Sequence, residues 1–134
     1  MTIPEIINSY RKVAVYGMST NPSKHAFIVP EVLLKNGFEI YPINPMADEI
    51  LGQKSYKSLI DVEQEIEILD VFRPSEQVPD IVREAIERKK AKGDIKVIWL
   101  QEGIISEEAE RLAKENGFEF VQNKCIKIEF LNFG

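Results

Sequence analysis

Short apolar runs alternate with amphipathic stretches along the chain. Five of the runs have the length and composition of β-strands, and they lie at Lys12–Gly17, Phe38–Ile43, Glu67–Phe72, Ile95–Leu100 and Phe118–Gln122. Between them, apolar residues recur at the spacing of a helix that buries one face. Strands that alternate with helices favour right-handed crossovers and a parallel sheet. The pattern predicts an α/β, Rossmann-like three-layer fold, with a five-stranded parallel sheet and helices on both faces.

Three of the connections between strands have the start and stop residues of helices. The first helix ends at Gly37, and Pro30 must either lie in its first turn or kink it. The other two have a serine that could cap the start and a glycine that could end the helix, at Ser75 and Gly93 and at Ser106 and Gly117. The segment 44–64 has no strong helical period, so we expect loop and turn in place of the second crossover helix.

Composition and charge narrow the class of protein. With 134 residues, of which 44% are hydrophobic and 29% charged, we expect one domain over residues 1–134. A formal net charge of -5 gives no general attraction to nucleic acid or to an anionic membrane, so an anion site must be local. One cysteine excludes an internal disulfide framework, and no apolar run reaches the roughly 18 residues of a membrane span. We expect a cytoplasmic protein with no nucleic-acid and no membrane partner.

The loop after the first strand has the residues of an anion site. Ligands of open parallel sheets bind beyond the carboxyl ends of the strands, where the strand order reverses. At the first such corner, Gly17 lets a ligand approach the main chain, Ser19 and Lys24 offer a hydroxyl and a charge, and a helix N-terminus follows. A pyrophosphate would suit this corner. The alternative is an ordinary strand-to-helix turn in which the sequence TNPS caps the helix and Lys24 is solvated.

The next two corners help to separate the candidate ligands. Units that bind NAD end the second strand with an acid that reads the ribose hydroxyls, whereas this chain has Asn44 and Pro45 there. At the third corner, Arg73 is held by the following proline and could fork onto a phosphate. The alternative for Arg73 is an ion pair with Glu76.

The remaining polar residues do not form a catalytic or metal site. His25 is the only histidine, so neither a catalytic triad nor a zinc ligand set can be assembled. We expect His25 to be a polar residue at the start of a helix and Trp99 to belong to the core. The fourth corner places Gln101, Glu102 and Gly103 where a ligand could contact them.

Taken in order, the motifs resemble a known family. They are VYGMSTNPSKHAF, YPINP, ILGQKSY, DVFRPSEQVP, WLQEGI and CIKIE, and together they extend from Lys12 to Glu129. The set is similar to the small single-domain CoA-binding proteins, which are related to the N-terminal domain of succinyl-CoA synthetase alpha subunits. No single motif is specific, and the resemblance depends on the whole set.

The resemblance implies that coenzyme A or an acyl-CoA is the ligand. It places the CoA phosphates against the loop from Gly17 to Lys24, the adenosine beside the second corner, and the rest of the ligand along the third and fourth corners. The residues that it implicates are Gly17, Met18, Ser19, Lys24, Asn44, Pro45, Phe72, Arg73, Gln101, Gly103 and Cys125. Lys24, Arg73 and Lys54 are the candidate phosphate-binding cations. Cys125 could form a mixed disulfide with CoA, or it could be a small buried hydrophobe without reactivity.

Three functions remain open on the sequence. The first is a CoA-binding carrier or sensor module, acting alone, as a homo-oligomer or with a partner enzyme. The second is a nicotinamide-dependent oxidoreductase, which the missing acid and missing glycines oppose. The third is an enzyme that acts on an acyl-CoA, with Glu102 or His25 as the base, although no residue that would orient either one is visible. The C-terminal sequence EFLNFG is apolar enough that we expect it to dock on the body or on another subunit.

Overall fold

Helices and strands alternate from one end of the chain to the other in the computed structural model, which describes residues 1–134. The five helices are α1 (Ile3–Ser9), α2 (His25–Lys35), α3 (Val78–Lys92), α4 (Glu107–Glu115) and α5 (Ile126–Phe133). The seven strands are β1 (Lys12–Tyr16), β2 (Glu39–Ile43), β3 (Glu49–Ile50), β4 (Gln53–Lys54), β5 (Ile68–Val71), β6 (Val97–Leu100) and β7 (Glu119–Val121). Two short 3-10 turns lie at Leu59–Asp61 and Ser75–Gln77.

Five strands form one parallel sheet in the order β2-β1-β5-β6-β7. Each of the five predicted runs contains one of these strands, so the predicted fold class is confirmed. From β1 the chain first crosses to β2 on one side and later to β5 on the other. The strand order therefore reverses between β1 and β5, and the switch point lies where these two neighbours end, at Tyr16 and Val71.

The sheet separates two hydrophobic clusters, because successive side chains of a strand point to opposite faces. Val13 and Val15 of β1 face α1, α2 and α5, whereas Ala14 faces α3 and α4. The central strands β5 and β6 are buried at every position, as expected for a parallel sheet covered on both faces. The three-layer arrangement follows from this double covering.

The predicted helix boundaries are correct with one exception. Ser106 caps α4 by accepting a hydrogen bond from the N–H of Ala109, and α3 ends at Gly93 in a left-handed conformation. The prediction that Ser75 caps the helix after β5 is wrong. Ser75 begins a 3-10 turn, its hydroxyl accepts from the N–H of Ile105, and α3 starts only at Val78. The physical reason is the proline at position 79, which is favoured in the first turn of a helix and disfavoured further along.

The connection from β2 to β5 contains no α-helix, in agreement with the sequence pattern. The structure adds a small antiparallel hairpin, β3 and β4, within this connection. The guanidinium of Arg88, on α3, holds the end of the connection by donating to the carbonyls of Leu59, Val62 and Gln64. It also bonds the carboxylate of Asp94, and both side chains are buried.

Two short helices that were not predicted, α1 and α5, pack against each other on one face of the sheet. Phe130 of α5 meets Phe38 edge to face with the ring centroids 5.1 Å apart. The C-terminal segment therefore docks on the body through Phe130, although Leu131 and Phe133 keep 64% and 47% of their surface exposed. None of the five helices combines the length and the apolar character that crossing a bilayer requires.

Candidate functional site

Two adjacent cavities open at the carboxyl edge of the sheet, on either side of the switch point. The first has a volume of about 490 Å³ and lies between the ends of β1 and β2. The second has a volume of about 590 Å³ and extends from the start of α2 to the end of β6 and the start of α5. Arg73 lines both cavities, so its side chain stands at their junction.

Gly17 allows the first and third corners to touch. Its φ is +89°, and a Cβ at this position would lie 2.7 Å from Cδ of Arg73 and 2.8 Å from the carbonyl oxygen of Phe72. The glycine is therefore needed for the close approach of the Arg73 side chain. The Nε of Arg73 donates to the side-chain oxygen of Gln77 at 3.0 Å, and Arg73 forms no ion pair with Glu76. Gln77 thus holds the guanidinium in position, and no carboxylate neutralises its charge.

The loop between β1 and α2 is held by its own polar groups. The hydroxyl of Ser19 accepts from the N–H of Asn21, and the side-chain oxygen of Asn21 accepts from the N–H and the hydroxyl of Ser23. Pro30 lies in the interior of α2 and has no N–H to offer the carbonyl of Ala26. That carbonyl instead accepts from the N–H of Ser19 at 3.2 Å. The carbonyl that Pro30 leaves without a helical partner thus anchors the loop to the helix.

The N-terminus of α2 is not capped by a side chain. Lys24 is the N-cap residue and makes no capping hydrogen bond, so the TNPS sequence shapes the loop without closing the helix. The N–H groups of His25 and Ala26 have no partner within the protein, and both residues line the second cavity. Free N–H groups and the positive end of the helix dipole favour an anion at this position.

Asn44 links the first and second corners. Its side-chain amide donates to the carbonyl of Met18 at 2.9 Å, and its side-chain oxygen accepts from the N–H of Met46. The N–H of Met18 has no partner within the protein. Asn44 is therefore a structural part of the cavity wall, and the free backbone groups beside it are left to a ligand.

The lining of the first cavity contains no acidic residue. Its two charged residues are Lys57 and Arg73, in a chain whose formal net charge is -5. Tyr16 also lines this cavity and donates its hydroxyl to the carboxylate of Glu84 at 2.8 Å. Burial, together with the hydrogen bond and the charge of Glu84, raises the pKa of Tyr16, so the phenol stays neutral. The cavity is locally positive, as an anion site in an acidic protein must be.

Ten of the eleven residues implicated by the sequence line one or both cavities. Gly17, Met18, Ser19, Asn44, Pro45 and Arg73 line the first, and Lys24, Phe72, Arg73, Gln101 and Cys125 line the second. Gly103 lines neither, and its N–H donates to the side chain of Asn123 at 2.7 Å. Lys54 also lies outside both cavities, with its ammonium 3.5 Å from the carboxylate of Glu63.

Sequence reasoning missed Lys57, which lines the first cavity. The residue types gave a signal, since a second lysine lies only three residues after Lys54 within the irregular connection. What the sequence could not supply was the backbone pairing that decides which of the two lysines faces the strand ends.

The far wall of the second cavity combines core and polar residues. The side-chain oxygen of Gln101 accepts from the N–H of Ile126 and so caps the start of α5. Trp99 is fully buried, as expected of a core residue, and its indole N–H donates to the carbonyl of Lys124. Cys125 is 9% exposed and belongs to the core cluster while also lining the cavity. This position fits a small buried hydrophobe, and the mixed disulfide with CoA stays a hypothesis.

A general base has no visible partner in this site. Glu102 and His25 both line the second cavity, yet no hydrogen bond orients either side chain. What the arrangement offers is binding chemistry: three exposed cations, free N–H groups and a partly apolar second cavity. The fold and the cleft define a Rossmann-like domain with a polar, locally positive ligand site at its switch point.

The chain belongs to the CoA-binding domain family. The family model described as "CoA binding domain" matches residues 11–130. The Bacillus subtilis protein YneT is 37% identical over 126 residues, which make up 94% of this chain and 90% of that protein. An ADP-forming acetate–CoA ligase of Archaeoglobus fulgidus is 35% identical over 87% of this chain, and the match covers 19% of the ligase. The chain thus corresponds to a small part of that enzyme.

Solved structures support the same relationship. A Thermus thermophilus protein superposes with a TM-score of 0.91 at 30% identity, and each chain is covered completely. An acetyl-coenzyme A synthetase of Ca. Korarchaeum cryptofilum, solved with phosphate and ADP, gives a TM-score of 0.74 at 26% identity. That match covers 91% of this chain and 27% of the synthetase.

Proposed function

We propose that this protein binds coenzyme A or an acyl-CoA in the cleft formed by the two cavities, as a carrier or sensor module. The observation that carries the proposal is Arg73, which stands at the junction of the cavities without a charged partner. Membership of the CoA-binding domain family supports the choice of ligand.

The proposed pose follows the order of the corners. The pyrophosphate lies at the junction, against Arg73 and the free N–H groups at the start of α2. The adenosine lies in the first cavity beside Asn44 and Pro45, where Met46, 92% exposed, offers an apolar side chain at the rim. The pantetheine arm enters the second cavity and points its thiol toward Cys125.

Calorimetric titration with CoA, acetyl-CoA and NADH tests this proposal. We expect saturable binding of CoA or acetyl-CoA and weaker binding of NADH, because the end of β2 lacks the acid that reads nicotinamide dinucleotide riboses. Tighter binding of NADH than of either CoA compound would overturn the proposal. So would the absence of saturable binding by CoA and acetyl-CoA.

Substitution of Arg73 tests the proposed pose. Because a charge-assisted hydrogen bond contributes about 1.5–3 kcal/mol, Arg73→Ala should weaken CoA binding by about tenfold to a hundredfold. Arg111→Ala is the matched control, since it removes the same charge from the exposed surface of α4, outside both cavities. Equal effects of the two substitutions would contradict the assigned role of Arg73.

A further inference from the structure

We infer that Lys57 recognises the 3′-phosphate of CoA and so determines which adenine nucleotides this cleft accepts. The inference rests on the proposed function and names a contact that neither the family assignment nor the relatives supply. It starts from the position of Lys57 in the wall of the first cavity, which Arg73 also lines.

The backbone at Tyr56 fixes where Lys57 stands. The N–H of Tyr56 donates to the carbonyl of Pro42 at 2.9 Å, and the carbonyl of Tyr56 accepts from the N–H of Asn44 at 2.9 Å. Tyr56 therefore extends the sheet by one residue beyond β2, as a parallel bridge to Ile43. The next residue, Lys57, emerges beside the Asn44–Pro45 turn, at the carboxyl end of the edge strand.

Lys57 carries a charge that no ion pair neutralises. Its side chain is exposed and makes no ion pair or hydrogen bond, and no acidic residue lines the first cavity. Lys57 also borders a shallow pocket lined by Asp48, Asp61 and Glu63, but it forms an ion pair with none of them. Lys54, three residues earlier, has a different environment. Its ammonium pairs with Glu63 and lies 5.2 Å from the ring centroid of Tyr56. Two lysines in the same short segment thus differ in whether they face the ligand site.

The position of Lys57 indicates which phosphate of CoA it would bind. In Rossmann-like sheets the ribose of an adenine nucleotide lies at the end of the second strand, and a cation there accommodates a phosphate on that ribose. The pyrophosphate is assigned to Arg73, just beyond the end of β5. The ammonium beside Asn44 is therefore free for the phosphate that distinguishes CoA from dephospho-CoA.

Calorimetry with CoA, dephospho-CoA and adenosine 3′,5′-bisphosphate tests this inference on three forms of the full chain. In the wild type we expect CoA to bind about tenfold more tightly than dephospho-CoA, because an ammonium–phosphate contact contributes about 1.4 kcal/mol. Lys57→Ala should remove most of this preference by weakening CoA and the bisphosphate, and change dephospho-CoA binding less than about twofold. The control Lys54→Ala should keep the preference.

The outcomes separate this inference from the proposed function. Wild type that binds CoA, with Lys57→Ala keeping the full preference over dephospho-CoA, would overturn the inference and leave the proposed function intact. Weakening of CoA and dephospho-CoA by the same factor would also overturn it. Wild type that binds neither CoA nor acetyl-CoA would overturn both. A preference for NADPH over CoA that Lys57→Ala abolishes would assign the cation to a different ribose phosphate and overturn the inference as stated.

Discussion

Individual residues at the strand ends do more than line the cleft, because several of them hold neighbouring corners in place. Asn44 joins the first corner to the second, and Gln101 joins the fourth corner to the start of α5. These two side chains bond backbone groups of the protein itself, while free backbone N–H groups and unpaired cations remain available to a ligand. A polar residue at a strand end can therefore be predicted to line the cleft, but its side chain can bond the protein and not the ligand.

Gly17 gives the sharpest prediction for a single residue. Gly17→Ala must place a Cβ against Arg73 and the Phe72 carbonyl and also adopt a left-handed φ. We expect it to lower the free energy of unfolding by about 2–4 kcal/mol and to abolish tight CoA binding. Gly37→Ala is the matched control, because Gly37 has the same φ of +89° with nothing within 4 Å. Urea denaturation should show a loss of about 1–2 kcal/mol for the control. Equal losses for the two variants would mean that the close approach of Gly17 to Arg73 and Phe72 does not affect stability.

Asp70 is a second residue whose effect can be predicted, and sequence reasoning did not single it out. It lies on β5 between Val15 and Trp99, fully buried, and neither carboxylate oxygen has a hydrogen-bond partner. Burial raises the pKa of Asp70 well above its usual value, so the folded protein keeps this proton to a higher pH than the unfolded chain does. The unfolded chain loses that proton above about pH 4.

This difference fixes the sign of a pH effect. Above pH 4 the unfolded state binds fewer protons at Asp70 than the folded state does. The residue therefore lowers stability as pH rises, by up to about 1.4 kcal/mol per pH unit, until the folded-state pKa is passed. In urea denaturation between pH 5 and pH 8, Asp70→Asn should lose this slope, so that its stability relative to wild type increases with pH. Asp48→Asn, at an exposed position, is the control. Parallel curves for wild type and Asp70→Asn would contradict the assignment.

At the scale of elements, the five strands of the parallel sheet and the three long helices could be predicted from the sequence. Their signals are local: apolar runs, helical spacing, glycine stops and, for α4, a serine cap. The helix α1 also has a local signal, the capping box in which Thr2 and Glu5 bond each other's backbone, and it was overlooked. The helix α5 has no cap from its own N-cap residue, Cys125, and its first N–H bonds instead to the distant Gln101, so no local signal predicts it.

The site was predictable to the same extent. The corners at the five strand ends could be placed, because parallel strands end at one edge of the sheet. The wall formed by residues 56 and 57 could not, because it depends on pairing with β2 across an irregular connection.

That irregular connection depends on one buried side chain from another element. Arg88→Met would remove the guanidinium from the Asp94 carboxylate and from three carbonyls in the connection, of which the Gln64 carbonyl would keep no other donor. We expect a loss of about 3–5 kcal/mol in the free energy of unfolding, measured by urea denaturation. Arg83→Met is the control on the same helix, since its pairs with Asp80 and Glu108 are exposed and should cost less than about 1 kcal/mol. A loss below about 1 kcal/mol for Arg88→Met would show that the connection holds its shape unaided.

For the whole molecule, the cleft is assembled from segments that lie far apart in the chain. The residues that line it extend from Tyr16 to Cys125 and come from every corner of the sheet. A ligand in this cleft therefore touches parts of the fold that form only when the entire sheet is in register. Binding should stabilise the domain as one unit, on both faces of the sheet.

This coupling predicts a dependence of the melting temperature on CoA concentration. A ligand that binds only the folded state adds about 1.4 kcal/mol of stability for each tenfold rise above its Kd, or roughly 5 °C for a chain of this size. Trp99 reports on the core beneath α2 and α5, and far-ultraviolet circular dichroism reports on all the helices, α3 and α4 included. Both signals should melt together and shift by the same amount as CoA is raised, whereas Gly17→Ala should show little or no shift. If the tryptophan signal moved with CoA while the helical signal did not, only one layer would be coupled to the cleft. That result would contradict binding by the assembled sheet, because a ligand at the switch point should stabilise the layers on both faces together.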